Sequence, residues 1–166
     1  MNKFWKKLDE AKSLPEIFEL VKDSVRIVFK KERTGLMLGL SDLGSNYEGF
    51  IGAFYPVGSN IIIMNKRPLR SIETTDPSLF NNYVFHILLH EYFHTLGIID
   101  EELARYMTLE VSKKVFGENH VVTEMAKNFA KFFPNIVYPT LGWESPESFK
   151  IELVDNFDHS NVGYIG

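Results

Sequence analysis

The stretch HILLHEYFHTLGIIDEELARY, residues 86–106, decides how this chain is read. From Leu79 onward Tyr83, Ile87, His90, Glu91 and His94 recur at spacings of three or four, and no glycine or proline interrupts the run to Leu96. That periodicity predicts a helix. Gly97 stands where the helix should stop, because glycine takes the left-handed conformation that ends helices. Asp100 is placed to cap a second helix over 101–116, which ends before Gly117.

On the first helix His90 and His94 are four residues apart, so both imidazoles project from one face, about one turn apart. Two ring nitrogens so placed can meet one metal ion. Glu91 is rotated off that axis but borders the same space. It is suited to take a proton from a water held there and return it to a leaving group. The pattern His90-Glu91-x-x-His94 therefore predicts a metal site with Glu91 as general base.

Such a site needs a third protein ligand. Asp100 follows His94 by six residues with Gly97 between, and a positive φ at that glycine would let the chain leave the helix and return a carboxylate. Asp100 is the favoured ligand. Glu101 and Glu102 serve if the next helix packs against the first, and Glu110 can be presented from two turns further along. The chain has no cysteine, so the ligands come from nitrogen and oxygen donors, a set that suits catalytic zinc, Zn2+.

The motif His90-Glu91-Tyr92-Phe93-His94, extended to Gly97 and Asp100, resembles the zincin metallopeptidase superfamily and, within it, the metzincin consensus HExxHxxGxx followed by His or Asp. It is also similar to small zincin-like proteins carrying HExxHxxGxxD before acidic residues. The resemblance covers eleven residues. It implies a sheet above an active-site helix, bound zinc and hydrolysis of a peptide or protein substrate, with His90, His94 and Asp100 as ligands and Glu91 as base. Two departures stand out. Asp replaces the usual His, which keeps open a glutamate on a later helix. Met107 and Met125, the methionines considered for the methionine turn of metzincins, fall inside predicted helices.

Around this centre the chain reads as one α+β domain, residues 1–166, with a small mixed or antiparallel sheet packed on the active-site helix and further helices after it. Residues 3–12 and 14–23 are expected as helices, the second begun by Ser13 with Glu16 three residues on. Val25, Ile27 and Phe29 alternate with polar residues and predict a strand over 24–32. Residues 33–44 suggest another strand, and two apolar runs flank Gly58-Ser59-Asn60 as in a hairpin. Of these, 59–69 is either an interior strand or an edge that receives extended substrate. Pro68 and the polar run behind it should end the sheet. A third late helix is expected over 120–133, and 134–166 as an irregular tail with a strand in FKIELV.

Composition narrows the function classes. The chain has 166 residues, 45% of them hydrophobic, which supports a folded core. A net charge of −4 gives no basic surface for a nucleic-acid backbone, so no nucleic-acid partner is expected. No apolar run is long enough to cross a membrane and none follows the basic N-terminus, so the expected location is the cytoplasm. The N-terminal Phe4, Trp5 and Leu8 are expected to pack on the core. Two other functions remain open: a catalytically silent zincin-fold module that binds or regulates, and a metal-dependent hydrolase of another substrate such as RNA. RNA-directed hydrolases with a related helix lack the glutamate present here as Glu91. His86, His120, and a tail bringing Asp158 or His159 onto the metal complete the candidates. Tyr83, Tyr92, Tyr106 and Tyr138 are possible oxyanion donors, and Arg105 is expected to pair with Glu101 or Glu102.

Overall fold

The structure is a computed structural model that describes residues 3–44, 49–139 and 149–158. Among these are seven α-helices, one of them central, with a small mixed sheet on one side, an α+β arrangement.

The chain begins with α1 (Lys3–Glu10) and α2 (Leu14–Phe29). Ser13 caps α2 by accepting from the Glu16 N–H, and Pro15 lies in the first turn, where a missing N–H costs nothing. The expected strand over 24–32 is instead the second half of this helix. Its alternation is only three residues long, whereas Ile17, Val21 and Val25 continue a helical stripe into the core, and Ile27 faces solvent. No breaker interrupts the run before Lys30, which ends it with φ 58°. A period-2 reading therefore lost to a longer 3.6 period.

The sheet contains β1 (Met37–Ser41), β3 (Ala53–Phe54), β4 (Ile61–Asn65) and β6 (Glu152–Leu153) in the order β3-β4-β1-β6. β4 runs parallel to β1 and antiparallel to β3, and β6 is antiparallel to β1. The hairpin around Gly58 is thus present as β3–β4. β4 is an interior strand, not an edge open to substrate. A second, parallel pair joins β2 (Phe50–Ile51) to β5 (Ile136–Val137). The expected strand in FKIELV is the short β6, tied to α3 by a Lys66–Glu152 ion pair.

The sheet does end at Asn65, before Pro68, and the polar segment that follows forms α3 (Lys66–Thr75), so the strand expected over 59–69 gives way to helix from Lys66. Pro68 sits in the first helical turn, where it is tolerated. The buried Asn65 starts this helix: its Oδ1 accepts from the Arg67 and Leu43 N–H groups, and its Nδ2 donates to the Ile51 carbonyl. A short 3-10 turn (Pro77–Leu79) leads into α4 (Phe80–Thr95).

From Asn82 to Thr95 every residue of α4 is buried. Such a helix belongs in a core rather than on a surface. α2, α5 (Glu101–Phe116) and α6 (Val121–Lys127) pack against it, and β3 approaches it from the sheet. Asn81 donates to the carbonyls of Leu8 and Ala11, which joins α1 to the start of α4. Leu8 is fully buried, and Trp5 hydrogen-bonds the Phe116 carbonyl, so the N-terminal aromatics do pack on the core. The helix expected over 120–133 is divided: Asn128 leaves helical geometry and caps α7 (Phe129–Phe132). Met107 and Met125 lie in α5 and α6 as core residues.

Candidate metal centre

Gly97 ends α4 with φ 99°, as its position required, and the chain turns from α4 into α5 within five residues. This turn sets the donor atoms. Asp100 accepts at 3.0 Å from the Leu103 N–H and caps α5. Its neighbour Glu101, the first residue of α5, faces back to α4. One Glu101 oxygen lies 3.0 Å from His90 Nε2 and the other 2.7 Å from His94 Nε2. The carboxylate that meets both histidines is therefore Glu101 and not Asp100. Glu102 is exposed on α5, and Glu110, half-buried a further two turns on, lies near Lys113.

His94 is oriented from its other side. Its Nδ1–H donates to the Ile98 carbonyl at 2.6 Å, which leaves Nε2 facing Glu101. A metal-binding histidine commonly has its second nitrogen held in this way. His90 Nδ1 is buried without a hydrogen-bond partner among the described residues, while its Nε2 faces the same carboxylate. Glu91 is buried, and one of its oxygens shares a cluster with donor atoms of His90 and His94, all within 4.8 Å of one another. Two carboxyl groups thus border the histidines. Glu101 is at hydrogen-bond distance from both rings. The Glu91 carboxyl makes no hydrogen bond among the described residues.

The charges are strongly coupled. Burial pushes Glu91 up to about 8 against the pull of His94. For His94 burial acts downward, but the Glu101 bond, the Glu91 charge and the Ile98 carbonyl outweigh it and raise it to about 9. His90, more deeply buried, is lowered. Glu101 is held at about 2, because its bonds to the two imidazoles outweigh the opposing effect of burial. By themselves these side chains hold a proton on His94 against the anionic Glu101, a position a cation can take.

The donor set fits a small dication. Four ligands arranged tetrahedrally at about 2.0–2.1 Å from a zinc ion lie about 3.3 Å apart. The two Glu101 oxygens lie 3.0 and 2.7 Å from the two imidazole nitrogens, and the donor atoms of His90, Glu91 and His94 lie within 4.8 Å of one another, close to that scale.

Next to the histidines lies Tyr138, just after β5. Its ring stacks on His90 with centroids 4.3 Å apart, and its hydroxyl is 2.6 Å from His86 Nε2. Burial lowers His86 to about 3, so it is a neutral partner of that hydroxyl. Of the four tyrosines singled out in the sequence, Tyr138 is the one that touches a motif histidine. Tyr83 packs among Phe129 and Phe133, Tyr92 hydrogen-bonds the backbone of Arg33, and Tyr106 is exposed. Arg105, one turn after Glu101, does not pair with Glu101 or Glu102. Its guanidinium lies over the Tyr138 ring, 4.6 Å from the centroid. His120 caps α6 through Nδ1. Asp158 bonds Lys22 at 2.6 Å and accepts from the Leu36 N–H, and His159 lies outside the described residues.

No family model matches the chain. No curated protein and no solved structure matches it either. Among the described residues no helix is long and apolar enough to cross a membrane.

Proposed function

We propose that the protein is a zinc-dependent peptidase of the zincin type acting in the cytoplasm, with His90, His94 and Glu101 as the protein ligands and Glu91 as general base. The observation that carries this reading is the carboxylate of Glu101 spanning both Nε2 atoms, beside a buried glutamate with no partner of its own. A structural helix has no need of two buried histidines facing one carboxylate with a buried acid beside them, since buried polar and ionisable groups are costly.

Bound zinc supplies a Lewis acid that lowers the pKa of a water and, as a dication, favours the ionised form of the buried carboxyl beside it. The chain's own groups do the rest. The Ile98 carbonyl fixes the His94 ring, and Glu101, anchored at the N-terminus of α5, fixes the spacing between helices. Glu91 takes a proton at a carboxylate oxygen from the attacking water, whose oxygen bonds to the peptide carbonyl carbon. As the C–N bond breaks, Glu91 returns that proton to the leaving nitrogen, giving a carboxylic acid and an amine. α4 holds Glu91 in a dry environment, in which its proton transfers are not levelled by bulk water.

The test is a peptide mixture digested by zinc-loaded protein and by Glu91→Gln. Cleavage by the first and a loss of about a thousandfold or more in the second, with zinc retained in both, is the expected result. Zinc binding without cleavage of any peptide would refute a peptidase and leave a silent zincin-like module or a hydrolase of another substrate.

A further inference from the structure

Arg105 is an exposed cation held beside the buried histidine cluster, and among the described residues it has no anion of its own. Two acids one turn away on the same helix are within its reach in sequence, yet among the described residues no carboxylate pairs with it. Its guanidinium instead lies over Tyr138, whose ring stacks on His90. Together with Tyr138, His86, Phe129, Ile136 and Lys127 it borders a cavity of about 490 Å³. The other cation of that cavity is already matched, since Lys127 pairs with Glu118 at 3.0 Å and with Glu124 at 3.7 Å. The cavity thus has apolar walls, one uncommitted planar cation and a position one aromatic ring away from the proposed metal ligand.

We propose that this cavity is the substrate subsite next to the cleaved bond and that Arg105 makes it select a carboxylate. An arginine fork binds a carboxylate through two parallel N–H donors, and its stacking on Tyr138 holds it ready without using those donors. Either an acidic side chain or the free C-terminal carboxylate of a peptide supplies that chemistry. Phe129 and Ile136 then cover the apolar stem of the group bound there. This assignment rests on the peptidase reading, because it takes the histidine cluster as the place where the bond is cut. The residues differ in role: Glu91 acts on the reacting atoms, whereas Arg105 selects what lies beside them.

The experiment uses zinc-loaded protein carrying Glu91→Gln, which holds peptides without cutting them, and reads affinity by calorimetry. One arm compares amidated peptides that differ only by glutamate or glutamine; the other compares a neutral peptide with a free or an amidated C-terminus. The expected result is about a tenfold tighter binding of the carboxylate member in one arm, which names the source. Arg105→Ala should abolish the difference, Arg105→Lys should keep part of it, and Arg105→Glu should turn it against the carboxylate. Zinc content and helical signal check that the variants are folded. Equal binding of both members in both arms, or a preference that survives Arg105→Ala, overturns the proposal. Cleavage by the wild type with no carboxylate preference refutes the subsite and leaves the peptidase standing. A preference lost in Arg105→Ala, with no cleavage by the wild type, refutes the peptidase and keeps the anion site.

Discussion

Replacing Asp158 by asparagine tests how the end of the chain is held. Asp158 and Lys22 side chains are 1% and 2% exposed and lie 2.6 Å apart. The second Asp158 oxygen accepts from the Leu36 N–H at 3.2 Å. Removing one member of a buried pair leaves the other as an uncompensated charge, which costs about 3–5 kcal/mol. Here Glu19, 32% exposed, remains 2.9 Å from Lys22 and keeps part of the compensation. Asparagine also retains an acceptor for Leu36. The expected cost is therefore about 2–3 kcal/mol, below the range for a complete orphan. In a chain of 166 residues that lowers the melting temperature by about 4–12 °C. Urea unfolding should show a lower midpoint with an unchanged slope. Lys22→Met combined with Asp158→Asn should recover part of the loss, because the stranded ammonium is gone. For Lys22 burial acts downward, but the bonds to Asp158 and Glu19 outweigh it and raise the pKa above the usual 10.5. A folded value above the unfolded one means that the pair's contribution is complete below pH 10.5 and is lost as pH rises through the folded value. A cost below about 0.5 kcal/mol at neutral pH, or a double variant less stable than Asp158→Asn alone, would refute the reasoning.

Other expected outcomes concern the strand pair and the buried histidine. Gly49→Ala should cost more than about 2 kcal/mol by urea unfolding, because its φ is 133° and an added Cβ would lie 2.3 Å from the Asn135 carbonyl oxygen. That change should also loosen β5 and, through it, Tyr138. With chelator present, stability should fall as pH drops below 6.5, since His86 stays neutral in the fold down to about 3 while the unfolded histidine takes up a proton. His86→Gln removes that proton from the balance and should flatten the slope between pH 6.5 and 3; an unchanged slope would assign the effect elsewhere. Asp100→Ala should cost about 1 kcal/mol, the loss of a helix cap.

The parts of this molecule legible in its sequence are those governed by local rules over long spans. α4 and α5 were marked by an unbroken helical period, by Gly97 and by a capping Asp100, and each lies where these signals put it. His90, Glu91 and His94 follow from α4 alone, because four residues on a helix fix their mutual placement. The partner from α5 was harder. Asp100 and Glu101 are adjacent, and the choice depends on which one the turn spends on the Leu103 N–H. The capping preference of Asp100 was visible, and giving it to the cap would have left Glu101 for the histidines. The strand expected over 24–32 and the far end of the strand expected over 59–69 failed for a different reason. In the first, short alternation masked a longer period; in the second, the cap at Asn65 starts a helix, α3, before Pro68, which lies in its first turn. Tyr138 and Arg105 meet only through tertiary structure, across 33 residues of chain, and no local pattern announces their contact.

The central claim is that His90, His94 and Glu101 hold zinc. Elemental analysis of purified wild type, Glu101→Ala and Asp100→Ala after incubation with zinc and dialysis tests it most directly. The account predicts one zinc per chain in wild type and in Asp100→Ala and a loss of zinc in Glu101→Ala. No zinc in the wild type, or zinc lost with Asp100→Ala and kept with Glu101→Ala, would contradict it.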